Sequence, residues 1–122
     1  MKKLLFSFLF SVVFGLFSSQ SQSIGLSGDF NNWGDEVLTT SDYITYTKTV
    51  TFSVSGSAKF RQGGTWATNW GANAFPSGKG TQNGANIPVP AGTYNVTFNR
   101  TTGDYNFVST IVSDNISFYG GF

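Results

Sequence analysis

The run Ile44-Thr45-Tyr46-Thr47-Lys48-Thr49-Val50-Thr51-Phe52-Ser53-Val54 decides the fold class. Its even positions are mostly apolar (Ile44, Tyr46, Val50, Phe52, Val54). Every odd position carries a hydroxyl (Thr45, Thr47, Thr49, Thr51, Ser53). Side chains alternate across a strand, so a period of two over this length predicts a β-strand with one buried face. Outward from it, Ser55-Gly56-Ser57 turns the chain into Ala58-Lys59-Phe60-Arg61-Gln62. There Ala58 and Phe60 are expected inward, with Lys59 and Arg61 together on the outer face.

Upstream, Ile24-Gly25-Leu26-Ser27-Gly28-Asp29-Phe30 reads as a first strand ending in turn residues. Asn31-Asn32-Trp33-Gly34-Asp35-Glu36 reads as a loop with one large aromatic in it. Downstream, Thr93 to Asn99 alternates again, with Tyr94, Val96 and Phe98 inward. Thr101-Thr102-Gly103-Asp104 makes a hairpin turn, and Tyr105 to Ile111 returns. Between them, residues 63–92 hold seven Gly, all three Pro and two Trp, with no sustained period. Asn86-Ile87-Pro88-Val89 fits a short edge strand, because proline cannot donate to a central ladder. Short strands separated by turn signals, with no helical period, predict an all-β, antiparallel β-sandwich of immunoglobulin-like type over residues 24–112.

The 122-residue chain has no cysteine and no histidine; 17% of it is aromatic and 11% charged. Its first 21 residues read as a signal peptide: Met1-Lys2-Lys3, an apolar run from Leu4 to Phe17, then a small polar exit with cleavage after Ser21 or Ser23. That run is shorter than the roughly 20 residues of a spanning helix. The protein is therefore expected to be exported, to the periplasm, the cell surface or the medium. Lipid attachment at the cleavage site needs a cysteine, so a lipoprotein is excluded. Five Phe leave with the signal. The remaining 101 residues carry five basic and six acidic side chains, with Lys48, Lys59, Arg61, Lys79 and Arg100 scattered. Without a basic patch, nucleic acid is not an expected partner.

Catalysis is disfavoured by composition. The commonest general base and the thiolate nucleophile are both missing, so no catalytic residue, no metal ligand set and no cofactor is assigned. Of Asp29, Asp35, Glu36, Asp42, Asp104 and Asp114, only Asp29 with Asp35 or Glu36 forms a local cluster. A glycosidase would need that pair to face across a cleft; acids beside Gly and Asn are more often turn formers. Trp33, Trp66 and Trp70 stand in polar, glycine-rich loops among Asn31, Asn32, Thr65, Thr68 and Asn69. A flat indole suits the apolar face of a pyranose, and amides and hydroxyls suit its rim. The rival reading buries all three Trp as core in a structural or protein-interaction module of a larger cell-surface assembly.

Gly28-Asp29-Phe30-Asn31-Asn32-Trp33, then Lys59-Phe60-Arg61 and Gly64-Thr65-Trp66, then Asn86-Ile87, resemble glycogen- and starch-binding β-sandwich modules such as that of the AMP-activated kinase beta subunit. The resemblance implies that Trp33 and Trp66 stack on α-glucan while Lys59 and Asn86 hydrogen-bond sugar hydroxyls. A closer resemblance is to the SusE/SusF-like outer-membrane starch-binding modules of Bacteroidetes. It is carried by Lys59-Phe60-Arg61, Trp66-Ala67-Thr68-Asn69-Trp70-Gly71, Asn86-Ile87-Pro88-Val89 and Ala91 through Phe98. It covers residues 24–111. Those modules are typically lipid-anchored, which this cysteine-free chain departs from.

The expected function is a secreted, non-catalytic carbohydrate-binding module for α-glucan or a related neutral polysaccharide or oligosaccharide. Trp33 and Trp66 would be the stacking platform, Trp70 a third ring, and Lys59, Arg61, Asn69 and Asn86 the polar rim. Outer-membrane or cell-surface proteins are the other expected partners. Such a shallow site should bind with a dissociation constant of roughly 10 μM to 1 mM. Two further patterns stand apart. Asn95-Val-Thr97, Asn99-Arg-Thr101 and Asn115-Ile-Ser117 match the N-glycosylation acceptor. Ile24 to Phe30 and Ile116 to Phe122 share Ile-x-x-x-Gly-x-Phe, which is either chance or a second module opening in the tail 113–122.

Overall fold

The computed structural model describes residues 22–110. The signal-peptide reading of 1–21, Ile111 and the tail with Asn115 and the second heptamer lie outside the described residues. Among the described residues ten strands form two antiparallel sheets. The first runs β2 (Glu36–Val37), β1 (Ile24–Gly28), β4 (Gly56–Gln62), β5 (Asn69–Gly71), β7 (Thr81–Gln82), and β8 (Ile87–Val89) also pairs with β4. The second runs β3 (Thr45–Phe52), β9 (Gly92–Asn99), β10 (Asp104–Ser109), β6 (Ser77–Lys79). One 3-10 turn, Asp29–Asn31, follows β1. The all-β antiparallel architecture is that of the sequence pattern.

The two sheets share one core. In β3, Tyr46, Val50 and Phe52 are buried and Thr45, Thr47, Thr49 and Thr51 are exposed, as period two requires. Across the interface Phe60 of the first sheet stacks on Phe98 of the second, with centroids 4.3 Å apart and planes 17° from parallel. Phe107, Tyr105, Tyr94 and Phe52 continue this aromatic seam edge-to-face, a geometry that adds to the area each ring buries. Tyr94 and Tyr105 satisfy their hydroxyls by donating to the carbonyls of Pro90 (2.8 Å) and Ala74 (2.6 Å). Burial pushes both phenol pKa values up.

The alternation of β3 stops earlier than the sequence suggests. Ile44 and Val54, expected inward, lie just beyond the strand and are exposed. A tight turn ends the pattern at Ile44: Asp42 Oδ1 accepts from the N–H groups of Ile44 and Thr45, both at 2.9 Å. Those donors, Thr45 first, hold the Asp42 carboxyl below the usual carboxylate range. Residues 63–92 fold into four short strands. Two or three residues are too few for alternation to register as a period. Ile87 and Val89 are buried and Pro88 between them is exposed, at the edge the proline predicted.

The outer edge of β3 is covered over its first half. Thr39 and Thr47 exchange both backbone hydrogen bonds at 2.9 Å. Lys48, whose neighbours Tyr46 and Val50 point inward, meets Glu36 of the first sheet at 3.4 Å.

Candidate carbohydrate-binding face

The outer face of the first sheet holds the candidate residues, and register explains which. Leu26, Phe60 and Trp70 pair side by side and face the core. One residue along, Val37, Gly25, Arg61 and Asn69 form a row on the opposite face, across β2, β1, β4 and β5. Ser27 and Lys59 form the next row. Two loops close over these rows: residues 29–35 carrying Trp33, and residues 63–68 carrying Trp66.

Trp33 is held in an unusual conformation. Asn32 and Trp33 both adopt left-handed backbone angles, φ 58° and 62°. For a bulky residue this costs on the order of 1–3 kcal/mol. Local bonds maintain it: Trp33 N–H donates to the Gly28 carbonyl at 2.8 Å, and Gly34 N–H to the Asn31 carbonyl at 3.0 Å. The Asn31 amide ties the loop to β1, accepting from Gly28 N–H and donating to the Leu26 carbonyl. The indole N–H of Trp33 donates to Asp29 Oδ1 at 3.1 Å, while Asp29 Oδ2 accepts from Ser57 N–H at 2.8 Å.

Trp66 lies against Trp33, with ring centroids 5.9 Å apart and planes 55° apart. It is 42% exposed. The two expected platform residues therefore sit together, as the walls of a shallow V rather than as one flat surface. Beneath them Arg61 makes a two-pronged contact with Asp35: Nε to Oδ1 at 2.8 Å and Nη2 to Oδ2 at 2.9 Å. Its guanidinium carbon is 4.5 Å from the Trp66 ring centroid, a cation–π distance. The hydrogen bond to Asp35 raises the Arg61 pKa despite burial, so the side chain stays charged.

Three expectations, the third ring and two of the rim residues, are corrected by this packing. Trp70 is not a third exposed ring: it pairs with Phe60, is 6% exposed, and meets Phe98 edge-on at 5.1 Å in the core. Arg61 is buried, and its guanidinium is engaged by Asp35 and Trp66 rather than free at the rim. Asn69 is also buried, donating through Nδ2 to the Trp66 carbonyl at 2.9 Å and to Asn83 Oδ1 at 3.1 Å. It braces the Trp66 loop from below. Trp70 takes the inner face, which a polar context in the chain does not reveal; Arg61 and Asn69 take the outer face and are buried by the loops that close over it.

Lys59 and Asn86 stay accessible. Lys59 is half-buried, with Nζ donating to the Gly84 carbonyl at 2.7 Å; burial holds its pKa below the usual lysine value. An ammonium has three donors, so two remain for a ligand. Asn86 is exposed and precedes Ile87, which pairs with Ala58, so it stands beside Lys59 at the sheet edge. Asp29 and Asp35, the acids a glycosidase would aim across a cleft, both accept hydrogen bonds from neighbouring structural groups.

Two residues that matter here carry no sequence signal for the role they play. Asp35 is 26 residues from Arg61, and Gly25 makes room for it: a Cβ at Gly25 would lie 2.5 Å from Asp35 Oδ1. Among the described residues the buried side-chain atoms without a partner are Ser27 Oγ and Asn69 Oδ1, both in the two outer-face rows. Buried polar groups are rarely left so. Comparison with known protein families, curated proteins and solved structures finds no match.

Proposed function

We propose that residues 24–110 form a non-catalytic carbohydrate-binding module, an immunoglobulin-like β-sandwich exported to the cell surface, that takes neutral α-glucan across the outer face of its first sheet. The observation that carries this is the Trp33–Trp66 pair: two indoles 5.9 Å apart, one strained and one 42% exposed, on a bed of paired charges. A core residue needs no left-handed backbone to stay buried, and an exposed indole costs hydrophobic stabilisation. Both features favour recognition over a purely structural role.

The 55° angle favours one glycan class. Successive rings of an α-1,4 glucan turn relative to one another, so a V of two indoles can meet two of them. A flat β-1,4 ribbon would contact one wall. Lys59 and Asn86 then supply donors and an acceptor for hydroxyls at the far edge, and among the described residues no exposed cluster of one charge sign competes for an ionic ligand. Affinity electrophoresis through gels containing soluble starch or soluble β-glucan tests the reading. Retardation by starch, abolished by Trp66→Ala, is expected. Unretarded mobility, or retardation unchanged in Trp66→Ala, overturns it.

A further inference from the structure

Next to the tryptophan pair, toward β2, the outer face sinks into a depression of about 320 Å³ lined by Ser23, Gly25, Asp35, Val37, Gly63 and Gly64. It is at the lower end of small-molecule sites in size. Its walls have mixed character. Val37 is apolar and 53% exposed; Asp35 is a carboxylate whose side chain remains 24% exposed after pairing with Arg61. Gly25 bares the floor, and the consecutive left-handed glycines 63 and 64 (φ 65° and 71°) bare the rim. Gly63 N–H is fixed by the Ser23 carbonyl at 2.9 Å, which anchors the loop leading to Trp66.

We propose that this depression is a further sugar subsite, taking the glucose unit next to those stacked on the tryptophan pair. This rests on the α-glucan reading above. The argument is continuity: Asp35 both lines the depression and holds Arg61 under Trp66, so a chain leaving the indoles toward β2 passes directly over it. The chemistry fits one neutral ring. Val37 offers an apolar surface to a sugar face, and the Asp35 carboxylate offers acceptor lone pairs to hydroxyls while its charge is already balanced by Arg61. That balance separates a hydroxyl ligand from a cationic one, since a second cation would meet a compensated carboxylate.

The test is calorimetric titration of the mature protein with α-1,4-linked glucose oligomers of increasing length. Affinity should rise about fivefold at the length that first fills the depression, the worth of one net hydrogen bond. Two variants close the depression without touching the indoles. Val37→Arg puts a long side chain on an exposed position of a two-residue edge strand. Ser23→Gln lengthens an exposed side chain of the lining outside both tryptophan loops, and leaves the Ser23 carbonyl to accept from Gly63 N–H. Both should bind the short oligomers like the wild type and lose the length step. A length step that persists in both variants, or no step in the wild type, overturns the subsite and leaves the tryptophan site standing. Failure of the wild type to bind any oligomer overturns both.

Discussion

Replacing Asp35 with alanine isolates the contact that ties the two tryptophan loops together. It removes both acceptors of the Arg61 fork, at 2.8 and 2.9 Å, and leaves the guanidinium on a side chain only 10% exposed. Exposed ion pairs contribute at most about 1 kcal/mol, and stranding a fully buried partner costs about 3–5 kcal/mol. The fork lies between these limits, because water can re-enter over the 24%-exposed Asp35 position. Hydrogen bonds to charged groups then place the loss near 2 kcal/mol. For a domain of this size that lowers the melting temperature by roughly 8–16 °C. Thermal unfolding followed by circular dichroism measures it. Arg61→Met should cost less, about 1 kcal/mol, since the abandoned carboxylate can hydrate. The double variant strands no charge and should be no worse than Asp35→Ala alone, giving a coupling of about 1 kcal/mol or more. Near-ultraviolet dichroism of the indoles should weaken in all three, because Arg61 sets the position of Trp66. An Asp35→Ala melting point within about 2 °C of wild type, or a double variant equal to the sum of the singles, would refute the assignment of Arg61 and Asp35 as positioning residues.

Three more predictions separate site from scaffold. Trp66→Ala should lose starch retardation while costing under about 1 kcal/mol of stability, whereas core Trp70→Ala should cost about 3–5 kcal/mol by denaturant titration. Gly25→Ala should push the Asp35 carboxylate off Arg61, because the new Cβ occupies its place; starch retardation should fall in a protein that still carries both charges. At alkaline pH the phenols of Tyr94 and Tyr105 come into play. Their pKa values are raised in the folded state, so the stability they contribute is intact below the unfolded value of about 10 and is lost as pH climbs through the folded values. Unfolding midpoints measured against pH should fall in that range, and Tyr94→Phe should flatten part of the slope while costing about 1 kcal/mol at neutral pH.

The strands that were legible in advance were those long enough for alternation to declare a face. Tyr46, Val50 and Phe52 in β3, and Tyr94, Val96 and Phe98 in β9, take the inward positions that period two assigns them. Lys59 and Arg61 likewise share the outer face of β4, as their spacing required. In strands of three residues alternation is too short to declare a face. Trp70 sits in β5, and only its pairing with Phe60 shows that it points into the core. The tryptophan pair was half legible: turn residues around Trp33 and Trp66 placed both in loops, but nothing local reveals that two loops more than 30 positions apart converge. Arg61 with Asp35 was invisible for the same reason, being a contact between β4 and the loop before β2 that no spacing rule encodes.

The covering of β3 bears on how the protein behaves in numbers. Where copies of a β-sandwich are held at high local density, bare sheet edges would zip one copy to the next. The Thr39 bridge occupies the backbone of Thr47, and Lys48 beside it points a charge along the same margin toward Glu36. Crowded copies thus meet at a margin already hydrogen-bonded and charged, which favours reversible crowding over fibre growth. Removing that guard by Thr39→Pro should raise aggregation at high protein concentration, measured by light scattering.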